Sequence, residues 1–192
     1  LDAATPTSIS ISGNAYTLEF NLSGIANGSE TITVVPSSAT AIYDGANNAA
    51  ATTQSNNTVS LNEKTLPTIT GTTIVADNST ITTTFSEAVF NTTGGSGALE
   101  ATDFTLTISG GVATLDAATP TSISISGNAY TLGFNLSGIA NGSETLTVVP
   151  SSAAAIYDGA DNAASTTQSN NTVSLNEKTL PTITGTTIVA DN

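Results

Sequence analysis

Apolar and polar residues alternate with a period of two along almost the whole chain, the signature of strands with one buried face. The pattern is clearest over residues 65–178. Ile69 and the run TTIVA at 72–76 read as a first strand. In STITTTFS, Ile81, Thr83 and Phe85 share one face, and Thr82, Thr84 and Ser86 share the other. A glycine-rich loop, NTTGGSG at 91–97, comes next, and DFTLTIS then aligns Phe104, Leu106 and Ile108. Gly110-Gly111 reads as a tight turn, with Val112 to Leu115 returning as a short strand. Pro120 breaks the following stretch, after which Ile123 and Ile125 alternate in SISIS. Gly127-Asn128 marks a turn before the series Tyr130, Leu132, Phe134 and Leu136. Asn141-Gly142 marks another, before Leu146 and Val148, which Pro150 closes. Ile156 and Tyr157 lead into an acidic loop, YDGADN at 157–162, and Val173 and Leu175 complete a last strand. The Ala-rich run at 155–165 is short and contains glycine, so it has room for one helical turn at most. About eight or nine short strands without a helix predict an all-β fold, an antiparallel sandwich with Greek-key connections.

The pattern then recurs as sequence. Residues 1–78 return as 115–192, shifted by 114 positions, and differ only at Glu19/Gly133, Ile32/Leu146, Thr40/Ala154, Asn47/Asp161 and Ala51/Ser165. Solenoid repeats run about 20–50 residues, so a period of 114 is that of a whole domain in tandem. With the boundary at Thr65, residues 65–178 form one complete unit. Residues 1–64 are then the C-terminal part of a preceding unit, and 179–192 the first strand of a following one. Neither end reads as a biological terminus, and we expect the chain to be a window on a longer array.

Composition narrows the chemistry. Fifteen acidic residues against two lysines give a net charge of −13, which excludes the cationic surface that nucleic acid requires and disfavours an anionic membrane surface. Cys and His are absent, so no disulfide or Ser-His-Asp centre can be built and zinc loses its usual ligands. Hard oxygen ligands are plentiful, and calcium is the metal that suits them. An acidic, Cys-free chain rich in Thr, Ser and Asn points to an extracellular setting on a bacterial cell surface.

The runs TITTTFSEAVF (80–90), DFTLTISGG (103–111), GSETLTVVP (142–150) and AIYDGADNAAS (155–165) resemble the bacterial immunoglobulin-like tandem repeats of giant surface proteins and adhesins. The repeats of the giant swimming-related surface protein of marine cyanobacteria, and those of flavobacterial surface proteins, are similar. The resemblance covers the whole unit and implies an Ig-like sandwich in an extended extracellular stalk. The family's loop pattern, Asp-x-x-Gly-Asn, appears as Asp158-Gly-Ala-Asp161-Asn162, with Asp161, or Asn47 in the other copy, in place of the glycine.

Four acids are candidate calcium ligands: Glu87 after a core strand, Asp103 at the start of another, and Asp158 and Asp161 in one loop. Strand ends converge at the poles of a sandwich, where such acids can meet; the alternative is that they are solvated loop residues that keep the array soluble. Glu63, Asp77 and Glu177 form a weaker set at the junction between repeats, where the alternative is an ordinary Pro-containing linker. The threonines at 80, 82, 84, 105 and 107 read as solvent faces of strands rather than as a ligand array. No aromatic-lined cleft accompanies the carboxylates, so an enzyme is not expected. The leading expectation is a structural extender whose partners are neighbouring repeats of the same chain and that projects an adhesive or motility element. The alternatives are a repeated adhesive module for glycan or partner cells, and a repeat that assembles with lateral copies of the same protein.

Overall fold

The structure is a computed structural model that describes residues 1–191. It divides into two compact units, Leu1–Thr65 and Leu66–Asn192. In the first, β1 (Ser8–Ser12) and β2 (Ala15–Glu19) make a hairpin, and β3 (Thr31–Thr33) pairs with β4 (Thr58–Ser60). The second carries β5 (Ile69–Ile74), β6 (Thr80–Phe85), β7 (Phe104–Ser109), β8 (Thr114–Leu115), β9 (Ser122–Ser126), β10 (Ala129–Gly133), β11 (Leu136–Ser137), β12 (Thr145–Pro150) and β13 (Thr172–Ser174).

All named ladders are antiparallel. One sheet runs β5-β6-β10-β9 and the other β13-β12-β7, with β8 and β11 forming a two-residue ladder of their own. Labelled A to G in chain order without that ladder, the sheets are A-B-E-D and G-F-C, the strand order of a constant-type immunoglobulin sandwich. The all-β, antiparallel expectation is thus what the fold shows. No helix among the described residues is long and apolar enough to cross a membrane.

The alternation places the core. In β6, Ile81, Thr83 and Phe85 are buried while Thr80, Thr82 and Thr84 are only half-buried. The same phase in β10 and β12 buries Tyr130, Leu132, Leu146 and Val148. Phe85 and Tyr130 meet edge to face at 5.7 Å, and Phe104 lies 6.0 Å from Tyr130, so three aromatics from both sheets fill the centre. The outward threonines fall on two sheets, 80, 82 and 84 on β6 and 105 and 107 on β7, and so form no single array.

One inward residue breaks the apolar pattern. The Thr83 hydroxyl is fully buried without a hydrogen-bond partner. Thr83→Val keeps the shape and removes a desolvated hydroxyl, so it is expected to raise stability by about 1 kcal/mol, read as a rise in Tm of a few degrees. A lower Tm would mean that the hydroxyl is satisfied in solution.

Local details differ from what the sequence predicts. Asp103 does not open a strand; it closes a single 3-10 turn, Ala101–Asp103, and β7 starts at Phe104. The Ala-rich run at 155–165, expected to hold one helical turn at most, stays within that limit and forms none. Its backbone makes isolated bridges instead, Phe90 with Tyr157 and Tyr157 with Ala163. Residues 179–191, which carry the sequence of β5, make no ladder, because no counterpart of β6 lies beside them.

The two copies of one sequence have different surroundings. The first unit holds counterparts of β9, β10, β12 and β13 but none of β5 to β8. Tyr16 is therefore 61% exposed where Tyr130 is 3%, and Ile42 is 54% exposed where Ile156 is 0%. Position 19/133 diverges on β2/β10. A Cβ at Gly133 would lie 2.4 Å from the Ser122 hydroxyl, whereas Ser8 in the other copy donates to the Glu19 carboxylate at 2.6 Å.

Candidate functional site

The acidic loop is a closed backbone motif. Asp158 is fully buried, and its Oδ1 accepts the N–H groups of Ala160 and Asn162, each at 2.8 Å. Oδ2 accepts from the Asn162 amide at 2.9 Å. Asp161 adopts φ 67°, a left-handed conformation that favours glycine and that Asp and Asn tolerate best among the others. Asn47 takes φ 63° at the same place in the first unit, so in both copies this position holds a residue type that tolerates the left-handed turn. The Asp161 carboxylate reaches across to accept the Gly94 N–H, tying this loop to the glycine-rich loop. In the exposed copy, Asp44 makes the same bonds to Ala46 and Asn48, and those to Asn48 hold its carboxyl below the usual range.

The other candidates lie in separate settings. Asp103 accepts the Glu100 N–H at 2.7 Å within its turn. Glu87 is half-buried just after β6. Among the described residues, no three carboxylates gather where they would hold a metal ion. The structure joins Asp158 and Asp161 through one loop and does not cluster Glu87 and Asp103 with them. With three donors already on Asp158, we expect millimolar calcium followed by chelator to leave the Tm unchanged. A reversible fall on chelation would instead place a cation at this pole.

The junction acids cap the linker. The Glu63 and Glu177 carboxylates accept the N–H groups of Thr65 and Thr179, two residues on. Asp77 accepts from the Ser79 hydroxyl at 2.7 Å and from its N–H at 3.0 Å; these bonds, with help from Lys178, hold its carboxyl below the usual range. Lys178 N–H donates to the Ala140 carbonyl at 2.8 Å, and Lys64 to Ala26 at 2.8 Å, so each unit pins the start of its own linker.

The most constrained acid lies outside both candidate sets. Glu144 is fully buried between two turns. Its Oε1 accepts the N–H groups of Val112 at 2.8 Å and Ala113 at 3.0 Å, and its Oε2 accepts those of Asn141 at 3.1 Å and Gly142 at 3.0 Å. These donors, led by Ala113, hold the carboxyl at about 2 against the opposing effect of burial. Gly111 is required beside it, because a Cβ there would lie 2.1 Å from the Glu144 carboxyl carbon and the backbone has φ 59°. The sequence does carry a signal for it: Glu144 stands in phase with buried Leu146, Val148 and Pro150. A charge on the inward face of a strand calls for an internal set of donors.

The path of the chain through the unit follows from how β5 lies against β13. Ile69 N–H donates to the Gln168 side chain at 2.8 Å, the Thr72 hydroxyl to the Asn170 carbonyl at 2.7 Å, and the Asn176 amide to the Val75 carbonyl at 2.9 Å. Partners advance together along both segments, so the two run in the same direction. The chain therefore comes in beside Gln168 and leaves beside Val75, six residues further along at ~3.3 Å each, roughly 20 Å away.

A scan against protein-family models finds no match, and neither does a search of curated proteins. Among solved structures, the chain is similar to the N-terminal part of the bacterial S-layer protein SbsC at 22% identity and a TM-score of 0.42. The match covers 58% of this chain and 24% of the other, so the chain spans about a quarter of that structure's length.

Proposed function

We propose that the chain is part of a structural extender, an array of Ig-like sandwiches that projects a distal adhesive or motility element from a bacterial cell surface. The observation that carries this reading is the same-direction run of β5 and β13, which takes the chain in at one pole of the complete unit and lets it out at the other. A unit built in this way adds its own length to an array. Near-identity of the copies fits the role, since spacing depends on copy number and fold. The inward placing of Tyr130 and half-burial of Tyr157 leave few aromatics for a glycan platform on the complete unit.

Small-angle scattering of polypeptides with increasing numbers of complete units tests the reading. Each added unit is expected to lengthen the particle by roughly 35–45 Å, a strand of about ten residues plus loops. Growth that follows the cube root of mass would describe a compact cluster and overturn the extender.

A further inference from the structure

The outer strands of the complete unit are not equally protected. The two sheets end in β5 and β9, and in β13 and β7. β5 and β13 bond to each other, and on β7 the Leu106 N–H donates to the Ala118 carbonyl at 2.7 Å. Among the described residues, β9 has β10 on one side and no strand on the other. Ser126 faces Ala129 across a two-residue turn, so Ser122, Ser124 and Ser126 exchange their backbone bonds with β10. The N–H and C=O groups of Ile123 and Ile125 therefore point outward.

Such an edge is normally guarded by charge, by proline or by a covering segment. Within β9 there is neither charge nor proline, and no charged residue occurs anywhere from 117 to 143. In the first copy Glu19 stands opposite Ser8 at the end of β1; in the complete unit Gly133 takes that place opposite Ser122. Ile125 is 47% exposed, while Ile123 packs against the core. The strand, Ser122-Ile123-Ser124-Ile125-Ser126, also reads the same in both directions. Turned end over end about Ser124, it sets Ile123 opposite Ile125 and Ser122 opposite Ser126, apolar against apolar and hydroxyl against hydroxyl.

We propose that the chain pairs edge to edge with a second copy of itself, β9 of one antiparallel to β9 of the other, about a two-fold axis at Ser124. In that register Ile123 of one copy and Ile125 of the other exchange both backbone bonds, so every outward N–H and C=O of these residues finds a partner. The two four-stranded sheets become one, and Ile125 of each copy is covered by Ile123 of the other. The neutral strand lets chains that each carry −13 meet along this line, and salt strengthens the pairing by screening the remaining acids. Five residues bury far less than the roughly 1,200–2,000 Å² of a standard interface, so one pair of edges holds weakly. The same five residues form β1, so both copies of the repeat carry the edge. The pairing does not rest on the extender reading, since the complete unit holds the whole strand.

Disulfide trapping in the full chain tests it, with Ile11→Lys present throughout to silence β1. Ser124 meets its own counterpart in a non-hydrogen-bonded pair, with Cα atoms about 4.5 Å apart, within reach of a disulfide. Oxidised S124C should give mostly covalent dimer. S126C should give about tenfold less, because its neighbour is Ser122, and a mixture of S122C with S126C should restore the yield. Sedimentation equilibrium of the cysteine-free I11K chain in salt should show monomer and dimer and nothing larger, since a two-fold contact closes on itself. Adding Ile125→Lys should weaken the dimer by about tenfold or more, although it lowers the negative charge. Equal trapping of S124C and S126C, a chain that stays monomeric, association that continues past a dimer, or an I125K variant that pairs as before would each overturn the proposal.

Discussion

Replacing Glu144 by Gln is expected to lower the Tm of the complete unit by about 10 °C or more. The substitution keeps the shape of the side chain, but its amide turns a donor group toward a ring of backbone donors. Val112, Ala113, Asn141 and Gly142 have no other acceptor at that spot, and the Glu144 side chain itself is closed off from water. The same change at Glu30, which is exposed and reaches only the Asn27 N–H, should leave melting unaltered. Acid titration gives a second reading. The Glu144 carboxyl lies at about 2 in the fold against an ordinary value of 4.5. A depressed carboxyl contributes its full stability above the ordinary value, and that contribution is lost as pH falls toward the folded value. The parent should therefore weaken between pH 4.5 and about 2, and E144Q should show a flatter slope there. A variant that melts and titrates like the parent would mean that this carboxylate does not hold the two turns together.

Tyr130→Ala is expected to cost the complete unit about 3–5 kcal/mol, and Tyr16→Ala less than about 0.5 kcal/mol, although the two residues occupy one sequence position. Tyr130 is wedged between Phe85 and Phe104, and its hydroxyl donates to the Val89 carbonyl at 3.3 Å. Burial also pushes its phenol above the usual range. Tyr16 has the same hairpin neighbour but no counterparts of β6 and β7, which carry Phe85 and Phe104, and is 61% exposed. Denaturant titration of the two variants separates the contribution of sequence from that of surroundings. Equal losses would mean that Tyr16 is buried in solution.

Much of this fold is legible in the alternation of apolar and polar residues. Phe85, Phe104, Leu106, Tyr130, Leu132, Leu146 and Val148 all sit inward, as a period of two requires. Turn residues at Gly127, Asn141 and Gly142 punctuate the strands where expected, because the two glycines adopt a left-handed backbone that others avoid and the Asn141 side chain accepts the Ser143 N–H. The site is less legible, because a carboxylate's meaning depends on what faces it. Glu144 binds N–H groups 31 and 32 residues away, and nothing local announces that pairing. Asp158 is recognisable as a loop acid, but its engagement with its own loop depends on the left-handed turn at Asp161. Sequence spacing places acids near the poles; only the folded backbone shows that several of them serve as internal anchors.

The same-direction run of β5 and β13 also decides how the unit responds to a pull on the chain. Tension applied through the linkers draws β5 back toward its start and β13 on toward its end. Parallel neighbours pulled in this way slide past one another instead of peeling apart. The bonds from Ile69, Thr72 and Asn176, with that from Asn78 to the Asn176 carbonyl, then share the load at once. A hairpin such as β9-β10, pulled from its open end, would give way one pair at a time. In the extender proposed above, drag along the array would thus load these bonds in shear.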